Sequence, residues 1–178
     1  FGEDVFRYYM ARGLKFGNDL AFDINKAKAK VNEELANHYG NLISRTINFV
    51  VKNFDKKIPL GSLNDVDTQT LAKSALKVAG RVYERIEELN IDGAVGETVS
   101  FITEINRYID NKAPWSLVKK NNLEDAGVAL YASIEALRIA TILLHPVMPQ
   151  TTEKLLGILG FTSSHLCIEN ALKWGQLV

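Results

Sequence analysis

The stretch Asn122–Pro146, NLEDAGVALYASIEALRIATILLHP, decides the fold. Leu130, Ile134, Leu137, Ile139, Ile142, Leu143 and Leu144 fall on all sides of a helix of period 3.6, so no face is left for solvent. The spacing predicts a central helix that starts after Asn122 and runs to about His145, ended by Pro146. Glu135 and Arg138 interrupt the run, so it does not read as a membrane span.

A helix apolar all round needs neighbours, and the flanking sequence supplies amphipathic ones. Upstream, Val95, Val99, Ile102, Ile105 and Ile109 line a helix that begins after an Asp92-Gly93 turn. It stops near Lys112, because the residue before Pro114 is biased away from the helical region. Before it, Leu71, Ala75, Val78, Val82, Ile86 and Leu89 define another, capped by Asp67 or Thr68. Pro59 and Gly61 break the loop Lys56 to Asn64. A long helix runs roughly from Asn25 to Asn53, with Val31, Leu35, Leu42, Ile47 and Val50 inward, Asp23 as N-cap and Gly40 inside it. A short helix covers Glu3 to Arg12, with Gly13 placed to end it. Downstream, Thr151 or Thr152 opens a last short helix that Gly160 terminates, and the remainder reads as irregular. No strand alternation and no repeat is visible. The expected fold class is all-α, a helical bundle preceded by a short adjoining helix.

The 178 residues are enough for one domain with a sizeable core. The formal net charge is zero, which argues against coating nucleic acid by bulk electrostatics but allows a local basic stretch such as Lys26 to Lys57. One cysteine, Cys167, points to a reducing, cytoplasmic setting and an inert thiol. The chain opens on Phe1-Gly2-Glu3-Asp4, with neither an initiator Met nor the regions of a signal peptide. A piece of a longer chain, or a processed product, is the expectation.

Catalytic constellations are missing. There is no phosphate-cradling glycine motif, no nucleophile elbow and no zinc pattern, and His38, His145 and His165 share no ligand spacing. No catalytic residue, metal or cofactor is therefore expected in this chain. Two polar segments stand out instead. In Asn37-His38-Tyr39-Gly40-Asn41-Leu42-Ile43-Ser44-Arg45, Asn41 and Arg45 are four apart and share a helix face. This is either a solvated surface or a small reader built from a fork of donors and an amide. In Ile105–Trp115, INRYIDNKAPW, Trp115 directly follows Pro114 at a bend. It is either a core plug or a stacking platform for an unpaired base. A third segment, His145 to Glu153, reads as a helix-to-helix joint.

These segments carry a resemblance. Gly2 to Tyr9 is similar to the helix after the KMSKS loop of class I aminoacyl-tRNA synthetases, and His145 to Glu153 resembles their shared closing segment. Leu35-Ala36-Asn37 with Gly40-Asn41-Leu42 and Arg45, together with Ile105 to Trp115, resembles the two anticodon-contacting motifs of the methionyl family.

The resemblance implies that residues 1–24 end a stem-contact region and that residues 25–178 form the anticodon-binding domain. It implies that Asn41, Arg45 and Trp115 recognise the wobble-position cytosine of the CAU anticodon of tRNA(Met), and that Asn41 and Arg45 lie close to Trp115. The parent would be a cytoplasmic methionine–tRNA ligase using ATP on its catalytic domain. Neither an H-I-G-H-like nor a K-M-S-K-S-like segment is present, so the chain alone is expected to activate no methionine and charge no tRNA. No dimerisation module is expected after Val178. The rivals are the equivalent domain of a valyl, isoleucyl, leucyl or cysteinyl enzyme, and a helical protein-interaction module without RNA binding.

Overall fold

The computed structural model describes residues 2–19, 22–62 and 64–177. Phe1, Leu20, Ala21, Leu63 and Val178 lie outside the described residues, and with them parts of the expected N-terminal region, the loop 56–64 and the C-terminal end. Among the described residues every regular element is helical. In chain order these are α1 (Glu3–Gly13), α2 (Ile24–Lys30), a π-helical segment (Val31–Gly40), α3 (Asn41–Asn53), α4 (Val66–Glu87), α5 (Ile91–Lys112), α6 (Pro114–Lys119), α7 (Leu123–Leu144), α8 (Pro149–Ile158), a 3-10 turn (Ser163–His165) and α9 (Ile168–Ala171).

α7 is the axis of the bundle, as its composition predicts. It packs against α3, α4, α5, α6, α8 and α9. All its residues from Ala132 to Leu144 are buried. It is long and apolar enough to cross a membrane by length and composition, yet its apolar surface is spent on its neighbours. Its caps are local: Asn122 accepts from the Asp125 amide, and the Met148 amide donates to the Leu144 carbonyl.

The buried pair inside α7 fastens the C-terminal tail. Arg138 donates bidentately to Glu135, from Nε at 3.0 Å and Nη2 at 2.7 Å, and also donates to the carbonyls of Asn170 and Lys173. Glu135 Oε1 in turn accepts from the amides of Gly175 and Gln176. The tail, expected to be irregular, is thus ordered by the 3-10 turn, α9 and this clasp.

Several sequence expectations shift by a turn. Asp65, not Asp67 or Thr68, caps α4, accepting from the Thr68 amide. Asn90 caps α5, so Asp92 and Gly93 sit in its first turn, and the reversal falls at Leu89, which adopts φ 57°. Ile86 and Leu89 are 39% and 54% exposed rather than inward, because α4 ends just past Ile86 and its last turn overshoots the core. Thr151 does not open α8: Pro149 takes its first position, where a missing amide proton costs nothing. Gly13 is the last residue of α1, not a residue beyond it. The Asp23 cap holds, accepting from the amides of Asn25 and Lys26.

α1 docks on the α7–α8 joint. Arg7 donates to the carbonyls of Val147 and Pro146, and buried Asp4 accepts from the Thr151 amide at 2.6 Å. Burial pushes the Asp4 carboxyl up, but its hydrogen bonds to Thr151 and Gln150 and the charge of Arg7 together hold it below the usual range. The two segments that resemble class-wide synthetase motifs, far apart in sequence, therefore form one contact. On its other side α1 meets the π-helical segment and α5, through Tyr8 donating to Glu34 and Arg12 reaching both Glu34 and Asp92.

Candidate nucleic-acid interface

The polar face expected near Asn41 rests on a backbone irregularity. Residues 31–40 take five-residue hydrogen-bonded turns, and the Asn41 amide reaches back to the Ala36 carbonyl. Gly40 ends this segment, and a Cβ there would stand 3.2 Å from the Leu35 carbonyl oxygen. The helix axis continues without a break, since Lys30, Gly40 and Asn41 all keep ordinary right-handed angles. π-helical turns are frequent at functional sites, because they redirect side chains that α-helical geometry would aim elsewhere.

α5 braces this segment. Asn106 Nδ2 donates to the His38 carbonyl at 3.2 Å, and His38 Nδ1 lies 3.2 Å from Thr103 Oγ1. Tyr39 turns inward and its hydroxyl meets Thr141 of α7 at 2.9 Å; burial pushes its pKa well up. The bulky pair His38-Tyr39 is therefore part of the scaffold.

Between the two helices lies an open groove of about 370 Å³. One wall is Asn37, His38, Asn41 and Arg45. The other is Thr103, Asn106, Arg107 and Asp110, which recur at three and four residues and so share one face of α5. Asn41 is exposed and Arg45 half-buried.

Trp115 is carried to this place by the joint after α5. Ala113 takes the left-handed region at φ 44° and closes α5, and Pro114 starts α6 at once. Trp115 thus sits in the first turn of a short helix that periodicity alone did not reveal. Its ring is partly packed on the core and partly open. The Arg45 guanidinium lies over that ring, with Cζ 4.8 Å from the centroid, and is also paired with Asp110. The structure therefore brings Asn41, Arg45 and Trp115 into one neighbourhood. The groove itself is lined by Arg45, while the indole lies beneath the guanidinium.

Asp110 is the groove residue that sequence reasoning passed over. The sequence held only a weak signal for it, an acidic residue in the same segment as Trp115. Beyond the groove, Lys112 is held by Asp65 at 2.7 Å and Asp67 at 2.8 Å. Burial pushes the Asp65 carboxyl up, but hydrogen bonds from Lys112 and Thr68 outweigh it and hold the group at about 2. Among the described residues no group of three or more His, Cys, Asp or Glu is placed to hold a metal ion. Cys167 is half-buried and its Sγ accepts from Asn170.

The chain is thus a helical bundle with an open polar groove beside a partly exposed tryptophan. Residues 68–171 match the family described as the anticodon-binding domain of tRNA ligase, and residues 1–47 match tRNA synthetases class I (M). The chain belongs to the anticodon-binding domain family of class I tRNA ligases.

Among its relatives are methionine–tRNA ligases. That of Streptomyces coelicolor is 33% identical over 99% of this chain and 35% of its own length; that of Enterococcus faecalis is 35% identical over 96% and 26%. The methionyl-tRNA synthetase of Mycobacterium tuberculosis bound by methionyl-adenylate superposes with a TM-score of 0.92 at 26% identity, over 98% of this chain and 35% of that one. The chain spans about a third or less of the length of these relatives.

Proposed function

We propose that this chain reads the CAU anticodon of tRNA(Met) for a methionine–tRNA ligase, and that Asn41, Arg45 and Trp115 hold the wobble-position cytosine. The observation that carries the reading is the Arg45 guanidinium over the Trp115 ring, in a groove shared with Asn41. An indole supplies stacking but no sequence information. Arg45 and the Asn41 amide donate to the O2 and N3 acceptors of cytosine, and the Asp110 carboxylate beside Arg45 accepts from its N4 amino group. Uracil presents a donor at N3 and an acceptor at O4, so both matches invert. Buried polar groups left unpaired by the wrong base are what make such a site selective.

In the free chain Arg45 rests on the indole and on Asp110. A base that stacks on Trp115 displaces the guanidinium from the ring toward the base edge. The rearrangement is cheap, since a partly exposed cation–π contact contributes only about 0.5–1 kcal/mol and the solvent-exposed ion pair with Asp110 about 0–1 kcal/mol. Residues 1–24 would belong to the stem-contact region and residues 25–178 to the reader. ATP, methionine activation and the transfer step would lie in the catalytic part of the cytoplasmic parent enzyme.

The test is binding of a labelled CAU stem-loop by mobility shift and anisotropy. Trp115→Ala should weaken it by about one to two orders of magnitude, from about 1–3 kcal/mol of lost stacking. Trp115→Phe should recover much of the loss. Unchanged binding by both variants, with intact helical content, would remove the tryptophan from the site.

A further inference from the structure

Arg107 stands on the ridge between two grooves. On one side it completes the wall of the reader groove. On the other it lines a second cleft of about 230 Å³ between α4 and α5, with Thr70, Glu104, Tyr108 and Asn111. It is exposed, and among the described residues it has no hydrogen-bond or ion-pair partner.

That freedom is unusual for its surroundings. Glu104 and Asp110 flank Arg107 at three residues on either side, where helical neighbours pair. Both are engaged elsewhere: Glu104 accepts from Ser74 at 2.6 Å, and Asp110 holds Arg45. Lys112, the other cation of this face, is fixed between Asp65 and Asp67. Arg107 is left as a guanidinium whose charge no local carboxylate claims. Asn111, one turn further along α5, is likewise exposed and presents its amide over the second cleft.

We infer that Arg107 grips a backbone phosphate of the bound anticodon loop, with Asn111 as a second donor, and that it supplies affinity independent of base identity. The inference rests on the anticodon reading above. A base splayed into the reader groove carries its phosphates with it, and a strand that left the groove toward α4 would cross the ridge that Arg107 occupies. A planar guanidinium matches the bidentate geometry of phosphate oxygens, and one with no partner to give up forms the contact without breaking another.

Phosphate contacts and base contacts separate by salt and by sequence. Binding of CAU and UAU stem-loops to the chain is measured by anisotropy between about 50 and 200 mM salt. Arg107→Gln should weaken both loops by the same factor, about tenfold at the low end, and reduce the slope of log affinity against log salt by about 0.7–0.9. Arg107→Lys should keep most of the slope. The melting temperature should not move, since the side chain holds nothing in the fold. Wild-type affinity and slope in Arg107→Gln would overturn the inference while leaving the reader intact. A loss confined to the CAU loop would assign Arg107 to base recognition instead. A wild-type chain that binds neither loop sinks the anticodon reading, and this inference with it.

Discussion

Removing the carboxylate of Glu135 should unfasten the C-terminal tail and cost a large part of the stability of the chain. The side chain is wholly buried and answers three partners: the Arg138 guanidinium and the amides of Gly175 and Gln176. Glu135→Gln keeps the shape, but it leaves the Arg138 charge buried without its counter-ion and turns an amide donor toward other donors. Breaking one side of such a pair typically costs about 3–5 kcal/mol, against a total of about 5–15 kcal/mol for a domain. With a urea dependence of about 1–3 kcal/mol per molar, the midpoint should fall by at least about 1 M. Urea unfolding followed by circular dichroism measures this, and hydrogen exchange at the Gly175 and Gln176 amides reports the tail directly. Glu135→Leu combined with Arg138→Met should cost less than the sum of the single changes, because neither charge is then stranded. A midpoint within about 0.3 M of wild type, with the tail amides still protected, would refute the reasoning.

Two further outcomes follow from packing and charge. A Cβ at Gly61 would overlap the Tyr131 ring of α7, so Gly61→Ala should destabilise the chain by about 1–3 kcal/mol, whereas Gly157→Ala, which meets nothing, should not; parallel thermal melts decide it. Asp65 carries a depressed folded pKa of about 2, so its contribution is fully present above its ordinary unfolded value near 4 and is lost as pH falls through about 2. Because the pair is partly open to solvent, Asp65→Asn should cost no more than about 1 kcal/mol at pH 7, and the gap should shrink as pH falls toward 2 and vanish only below it; a gap of the same size at pH 7 and near pH 2 would contradict the assignment.

The fold was legible where composition left little choice. A 22-residue helix apolar on every side has to be central, and Asp23 announced its helix because a short acceptor before an apolar run satisfies orphan amides. The failures are equally physical. Ile86 and Leu89 keep the helical period past the point where α4 leaves the core, and period alone does not report where a neighbour ends. The π-helical segment uses the same residue types as an α-helix, so nothing in its composition marks the change. α6 is too short to show a period, and the tail is organised by Glu135 and Arg138, whose partners are backbone groups that no side-chain pattern reveals. Of the candidate site, Asn41, Arg45 and Trp115 came from resemblance. Their closeness was expected with them; the place of Asp110 beside them came only from the structure, where Arg45 reaches from α3 to the α5–α6 joint.

The central claim is that this groove tells cytosine from uracil at the wobble position, and the ratio of affinities for CAU and UAU stem-loops tests it directly. Titration calorimetry of the wild-type chain and of Arg45→Ala with both loops gives that ratio. One charge-assisted hydrogen bond gained or lost corresponds to about 1.5–3 kcal/mol. The wild-type chain should therefore prefer CAU by about ten- to a hundredfold, and Arg45→Ala should narrow the preference while leaving the melting temperature nearly unchanged. Equal affinity of the wild-type chain for the two loops would contradict the account.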